Sequence, residues 1–406
     1  MKNATMFGVT RAPANLIFGA GQRHALGDYA AQLGRSALVV TDARMAGDPE
    51  MAAMRKSLED RGVAVTVFSE VEAELPLSCI AAGVVAGQGA EVIVGIGGGS
   101  CLDAAKVIAL LLKHGGQASD YYGEYKVPGP VLPLIVMPTT SGTGSEATPV
   151  AVLADEGREM KIGISSPFLI PHTSICDPEL TLTCPPGLTA ASGADALTHA
   201  IEALTAAAFD PAPTLSTERV FVGRNTLSDA HALEAIRHIS ANLRAACKPD
   251  ASLAAREGMM MGATLAGLAF GSAGTAAAHA IQYPVGALTH TPHGIGVAVM
   301  MPYVMAFNRP ACEPQMAAIA AAMGASDAVE AVARLFADVG IPRTLADLGI
   351  TPDQLPQIAE KAFLSARLVR NNPRPLGPAT MLALVEAAFE GRLDGLDQPI
   401  LEMETI

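Results

Sequence analysis

Four residues in this sequence have types and spacing suited to holding a metal ion. In "GADALTHAIEAL", Asp195 and His199 are four positions apart, which sets them one turn apart on one helical face. A carboxylate and an imidazole so placed can meet the same ion, or can simply pair and stabilise the helix modestly. His279 lies on a second alanine-rich stretch, "GTAAAHAIQY". His293 follows fourteen residues later in "TPHGIG", at a turn entering a new helix. One carboxylate with three imidazoles suits Fe²⁺ or Zn²⁺ better than Mg²⁺ or Ca²⁺, which favour all-oxygen shells. His290, three residues before His293, reads as a surface or pocket-lining group, and Tyr283 stands in the middle of the same stretch.

A second group of residues suits a nucleotide. "EVIVGIGGGSCLDAAKVIALLL" reads as strand, tight turn and helix. Gly97, Gly98 and Gly99 have no side chains, so a ligand can approach the backbone. Ser100 is expected as the N-cap of the helix, with Asp103 completing a capping box. The free amides and partial positive charge of a helix N-terminus suit a pyrophosphate; the competing reading is a capped structural turn. "LVVTDARM" ends a strand in Asp42. Its carboxylate can accept from an adenosine ribose and would repel a 2′-phosphate, favouring NAD over NADP. It can equally cap a helix. "MPTTSGTGSE" gathers small hydroxyls after another strand. The earlier turn "IFGAGQRHALG" offers G-x-G, but His24 occupies the third glycine position of a dinucleotide fingerprint.

The elements that carry these residues differ along the chain. "SALVVTD", "VAVTVF", "EVIVGIGGGS" and "LPLIVMPTT" are short runs rich in Val and Ile, with helical stretches such as 45–61 and 77–89 between the first three. Alternating strands and helices imply β-α-β units and a parallel sheet covered on both faces. From about residue 189 the texture becomes alanine- and leucine-rich with helical period, after the breaker "TCPPG". The expected domains are therefore 1–188, α/β, and 189–406, all-helical. The length of 406 residues suits two domains. Half the residues are hydrophobic and 17% are charged, so the core is large. A formal charge of −13 argues against nucleic acid, whose phosphates would be repelled. The six cysteines form no C-x-x-C pair, and free thiols in a reducing cytoplasm are expected. The N-terminal residues lack the apolar core of a signal peptide, and no apolar run is long enough to span a membrane.

The motifs together resemble the iron-containing (group III) alcohol dehydrogenases. They run in order as "GGGSCLDAAK", "PTTSGTGSE", "KIGISSPFLIPHTSICDPELTLTCPP", "LTAASGADALTHAIEA", "AFGSAGTAAAHAIQYPVGALTHTPHG" and "NNPRP". The resemblance covers residues from about 15 to 375. It implies a Rossmann-like N-terminal NAD-binding domain and a helical metal-binding domain in a dehydroquinate synthase-like architecture, with a cleft between them. It implies metal ligands at Asp195, His199, His279 and His293, and one divalent ion, Fe²⁺ first and Zn²⁺ second. It implies cofactor contacts at Asp42, at the turn Gly97 to Ser100 with Asp103, and at Thr139, Thr140, Thr143, Lys161 and Leu180. The family commonly has H-A-x-x-H-P where this chain has "HAIQYP", so Tyr283 replaces a histidine close to the substrate. Glu74, in "VEAELP", takes the place of an asparagine found in many relatives.

The activity implied is hydride transfer between a metal-bound alcohol and NAD, read in reverse as aldehyde reduction. Tyr283 is a candidate for the proton's exit, or shapes the pocket. The partners implied are a small-molecule alcohol or aldehyde and further copies of the chain, as a homodimer or a larger homo-oligomer. Two rivals share the architecture. A dehydroquinate synthase-like lyase needs a cationic pocket, and the stretch 257–300 has no Lys or Arg. A hydroxyacid-oxoacid transhydrogenase would retain its cofactor.

Overall fold

The computed structural model describes residues 6–155 and 160–398. The chain forms two compact units. The α/β unit takes Arg11–Cys184 together with Ser216–Val220, and the helical unit takes the rest. The breaker anticipated near 188 corresponds to the first turn of a helix that begins at Pro186. The described residues before Arg11 join the helical unit, where the Val9 amide donates to Asn225 Oδ1 at 3.1 Å.

In the α/β unit the strands are β1 (Asn15–Phe18), β2 (Ser36–Val40), β3 (Ala64–Phe68), β4 (Val92–Gly97), β5 (Gly123–Glu124), β6 (Leu134–Pro138), β7 (Val150–Asp155), β8 (Met160–Ser165) and β9 (Thr173–Cys176). The helices are α1 (Leu26–Leu33), α2 (Ala43–Ala46), α3 (Pro49–Asp60), α4 (Leu77–Ala86) and α5 (Gly99–His114). Six strands form a parallel sheet in the order β1-β9-β6-β4-β2-β3. Successive side chains point to opposite faces of a strand. In β2, Leu38 and Val40 accordingly join the core made with α4 and α5, while Ala37 and Val39 join the one made with α1 and α3. Both faces are covered, and this explains the nearly continuous apolar reading of the central strands.

The strand order reverses at β2, which pairs with β3 on one side and β4 on the other. In open α/β sheets, ligands bind beyond the carboxyl ends of the strands at such a switch point. Asp42 follows β2 and the glycine turn follows β4. A second sheet departs from the parallel pattern. Strands β7 and β8 pair antiparallel, with β5 parallel to β8. Lys106 of α5 pins its start, donating to the carbonyls of Thr148 and Val150 at 3.0 and 2.8 Å. Burial pushes that amine down to about 8.

The helical unit is built on α6 (Pro186–Thr205), α8 (Thr226–Ala246), α9 (Leu253–Ala273), α10 (Ala277–Thr289) and α11 (His293–Asn308), with further helices up to Glu390; the one-turn α7 (Leu215–Glu218), between α6 and α8 in sequence, falls mostly in the segment that belongs to the α/β unit. Among its described residues, strand pairing is limited to an isolated bridge between Ala208 and Gly223. Helix α6 is buried on nearly every face, packed by α8, α9 and α11. Its small residues permit that closeness: a Cβ added to Gly193 would lie 2.4 Å from Leu243 Cδ1.

Candidate functional site

Because α6 is enclosed, the polar groups on it are enclosed as well. Asp195, His199 and Glu202 are 3%, 5% and 1% exposed. Such burial is strongly unfavourable unless other partners replace water. His279 enters from the first turn of α10, and His293 is the first residue of α11. Two glycines let α11 come close. A Cβ on Gly294 would meet the Ala191 carbonyl oxygen of α6 at 2.2 Å, and one on Gly296 would meet Gln282 Oε1 of α10 at 1.7 Å.

Asp195 Oδ1 is the hub of the cluster. It lies 3.7 Å from His199 Nε2, 3.8 Å from His279 Nε2 and 3.9 Å from His293 Nε2. These distances are too long for hydrogen bonds. They suit donors that share an ion, since a tetrahedral shell with bonds of about 2.1 Å sets its ligand atoms roughly 3.4 Å apart. Asp195 Oδ1 and His279 Nε2 are buried with no hydrogen-bond partner among the described residues. Ligand atoms of Asp195, His199 and His279 fall within 4.8 Å of one another. The residues therefore fit a divalent cation of the kind that accepts nitrogen and oxygen together.

The rings are held from outside the cluster. His199 stacks on Phe270 of α9 at 4.1 Å between centroids, and on His279 at 4.8 Å. Glu202 accepts from the Ala276 and Ala278 amides, each at 2.8 Å, and its Oε2 lies 2.6 Å from His279 Nδ1. Burial pushes this carboxyl up, but the His279 ring and the two amides outweigh it, so it stays below the usual carboxylate range. Neither Phe270 nor Glu202 stood out in the sequence reading. The available signal was Glu202 itself: three residues after His199, it shares the face of Asp195 and His199 in an otherwise apolar helix.

The ring of Tyr283 lies 6.2 Å from that of His293, nearly parallel. Burial raises its phenol above the ordinary tyrosine range. His290 is exposed, and its φ of 54° closes α10 in the left-handed conformation, outside the group of ligand atoms.

In the α/β unit, the three glycines of the turn are not equivalent. Gly97 has φ 148°, and a Cβ there would lie 2.5 Å from Cys101 Sγ. On Gly99 it would lie 2.5 Å from Thr143 Cγ2. Both are required by the protein's own packing. A Cβ on Gly98 would meet only Thr140, at an ordinary 3.7 Å, so the space over that residue is open to a ligand. One expectation is corrected here. Ser100 is not the N-cap of α5; Gly98 is, without any side-chain cap. The extended backbone at Gly98 starts the helix at Gly99 and leaves Ser100 within the first turn. Asp103 does not close a capping box either. It accepts from Ser145 Oγ at 2.6 Å and from the Val152 amide at 2.9 Å, bracing the hydroxyl-rich loop against α5.

The other cofactor candidates sit as follows. The Thr139 amide donates to the Gly97 carbonyl at 2.9 Å, while its hydroxyl is buried without a partner among the described residues. Thr140 faces Gly98, and Thr143 faces Gly99 and accepts weakly from the Ser145 amide at 3.3 Å. Asp42 caps α2 through Oδ1, which accepts from the Met45 amide at 2.7 Å. Lys161 Nζ lies 2.5 Å from Glu74 Oε2. Glu74 and Leu75 both have positive φ, 68° and 55°, a local strain of the kind that accumulates at functional sites. Leu180 is buried in the core beneath the sheet with Ile96, Met137 and Ile175. The G-x-G of the earlier turn serves structure: Arg23 beside it pairs with Glu50, Asp177 and Glu179.

A parallel sheet with an open glycine turn at its switch point, and a helical unit with converging imidazoles and a carboxylate, are the parts of a metal-dependent nicotinamide dehydrogenase. The family model "Iron-containing alcohol dehydrogenase" matches residues 13–178, and "Fe-containing alcohol dehydrogenase family, C-terminal" matches 189–389. The chain is 38% identical to long-chain-alcohol dehydrogenase 1 of Geobacillus thermodenitrificans, over 88% of this chain and 90% of that one. It is 34% identical to sulfoacetaldehyde reductase of Bilophila wadsworthia, over 88% and 92%. A crystal structure of 1,3-propanediol oxidoreductase superimposes with a TM-score of 0.87 at 33% identity, covering 94% of this chain and all of that one. The chain belongs to the iron-containing alcohol dehydrogenase family. It is an oxidoreductase acting on CH–OH donors, an alcohol dehydrogenase that works in reverse as an aldehyde reductase.

Proposed function

We propose that Asp195, His199, His279 and His293 hold one divalent ion, Fe²⁺ with Zn²⁺ as the alternative, and that Asp42, the Gly97–Ser100 turn, Thr139, Thr140, Thr143, Lys161 and Leu180 serve NAD. The observation that carries this reading is the Asp195 oxygen, buried without a hydrogen-bond partner among the described residues and 3.7 to 3.9 Å from three imidazole nitrogens. When bound, the ion supplies Lewis acidity toward the alcohol oxygen and NAD accepts the hydride. The chain's own groups do the rest. Gly98 and the first amides of α5 take the pyrophosphate. Asp42 Oδ2, the oxygen not used by the cap, accepts from the ribose. Lys161, steadied by Glu74, carries positive charge to the cofactor, whereas Asp103 acts only by bracing the loop. In the reducing direction Tyr283 donates its hydroxyl proton to the substrate oxygen as the alcohol forms and regains one from solvent; oxidation runs the same transfers in reverse.

The substrate is a small alcohol or aldehyde. The names of the relatives span long-chain alcohols, sulfoacetaldehyde and 1,3-propanediol; their common element is a CH–OH group or its carbonyl. We also read the chain as cytoplasmic and as a homodimer or a larger homo-oligomer. None of the six cysteines is joined in a disulfide, in keeping with a reducing compartment.

A panel of alcohols and aldehydes read by NADH absorbance, with metal measured in the same sample, tests the assignment. Stoichiometric NADH change with about one ion per chain is expected; full turnover in metal-free protein would sink it. For Tyr283→Phe a slower rate with an altered pH–rate profile is expected. Superimposable profiles would leave Tyr283 as a wall of the pocket.

A further inference from the structure

We infer that Glu202 is a positioning residue of the metal centre: it fixes the tautomer and orientation of His279 while capping the helix that carries it. The inference rests on the reading of Asp195, His199, His279 and His293 as metal ligands.

The geometry begins with a deficiency of α10. Its N-cap residue, Ala276, has no side chain that could bond the first amides, and no side-chain cap is present. The first four amides of a helix need partners from elsewhere. Glu202 of α6 supplies them across 74 residues of sequence, accepting from Ala276 N at Oε2 and from Ala278 N at Oε1. The same Oε2 lies 2.6 Å from His279 Nδ1. A buried carboxylate takes a proton donor at that distance, so Nδ1 carries hydrogen. The ring's lone pair is then on Nε2, which is the atom left without a partner and 3.8 Å from Asp195 Oδ1. An imidazole in the other tautomer would offer N–H, and no lone pair, to the ion.

Helix α6 therefore carries two kinds of group on one face. Asp195 and His199 point atoms into the cluster, and Glu202 holds a third ligand from behind. Carboxylates hydrogen-bonded to metal-ligating histidines fix the ring and raise its basicity. Three N–H groups converge on Glu202, two backbone amides and one imidazole. Its carboxylate lies directly behind His279, so an ion held by that ring would have two carboxylates in its surroundings where Asp195 alone is visible from ligand spacing.

Glu202→Gln is the sharpest test, because it keeps shape and removes charge. The amide must turn its NH₂ toward at least one of the three N–H donors. Affinity for Zn²⁺ and Co²⁺, measured by chelator competition on the full chain, is expected to fall about 10–100-fold, with a changed visible spectrum for bound Co²⁺. In the His279→Ala background, which loses its metal on isolation but whose weak residual binding is titrated with excess Co²⁺, the same substitution should change affinity no further, because its route to the ion is gone. Glu202→Asp, which keeps the charge but withdraws it by one methylene, should also weaken binding. A cap-only role predicts lower melting temperature with metal affinity unchanged. Affinity within twofold of wild type in either folded variant, or equal losses with and without His279, overturns the inference while leaving the metal site standing. Absence of metal binding by the wild type overturns both. Should neither variant fold, histidine side-chain ¹⁵N NMR of the zinc-loaded wild type decides: His279 protonated at Nδ1 is expected, and protonation at Nε2 refutes it.

Discussion

The metal cluster and the glycine turn meet the same problem, leaving room for a ligand inside a packed fold, in opposite ways. Around Asp195 the room is made by side chains whose polar atoms converge at 3.7 to 3.9 Å, and Asp195 Oδ1 and His279 Nε2 are left without hydrogen-bond partners among the described residues. In the glycine turn the room is made by removing side chains, and most of it is taken back by the protein. Cys101 occupies the space beside Gly97, and Thr143 the space beside Gly99, so Gly98 alone faces an opening. A ligand site built from side chains declares its chemistry through residue types. A site built from absent side chains looks the same, residue by residue, as tight packing.

Four substitutions would break or sharpen this contrast. His279→Ala should have the largest effect, with loss of both bound metal by elemental analysis and turnover by NADH absorbance. Gly99→Ala should come next. Its methyl is forced against Thr143, and overpacking of this kind costs about 1–3 kcal/mol, read as a lower denaturation midpoint. Gly98→Ala should leave that midpoint nearly unchanged and weaken NAD binding by roughly tenfold, about 1.4 kcal/mol by calorimetry. A reversal of these two alanine results would mean that Gly98 is structural and Gly99 faces the ligand. Smallest is Asp42→Ala. Losing the cap on α2 costs about 1 kcal/mol, while the ratio of kcat/KM for NAD over NADP should fall toward unity because the acid that repels a 2′-phosphate has gone. An unchanged ratio would reduce Asp42 to the cap that the structure already displays.

Legibility in the sequence follows the same division. The long central strands and the amphipathic or alanine-rich helices were readable because their periodicity is local. Strands β1 and β9, four residues each, were too short to stand out. Strand β8 falls almost wholly inside a segment read for its resemblance, and β7 falls between two such segments. Asp195 and His199 were readable as an i,i+4 pair. Glu202 was not, since its meaning depends on His279, 77 positions further on, and on an uncapped helix that no local pattern announces. Ser100 shows the opposite error. Its composition argues for a cap, but the extended backbone of Gly98 moves the helix start forward and leaves the serine inside. The attachment of the described N-terminal residues to the helical unit through Asn225 likewise has no signature in either segment alone.

The enclosure of α6 has a consequence for how much of the protein exists at all. A helix buried on nearly every side cannot turn Asp195 to bulk water when the ion is missing, and among the described residues neither its Oδ1 nor His279 Nε2 has a hydrogen-bond partner. An ion that binds the folded chain and not the unfolded one adds stability by mass action, about 2.7 kcal/mol at a hundred times its dissociation constant. Melting temperature should then climb with free metal and drop with chelator. In a cell short of the ion, quality control would clear unoccupied copies, and scarcity would be felt as lower abundance before it was felt as slower turnover.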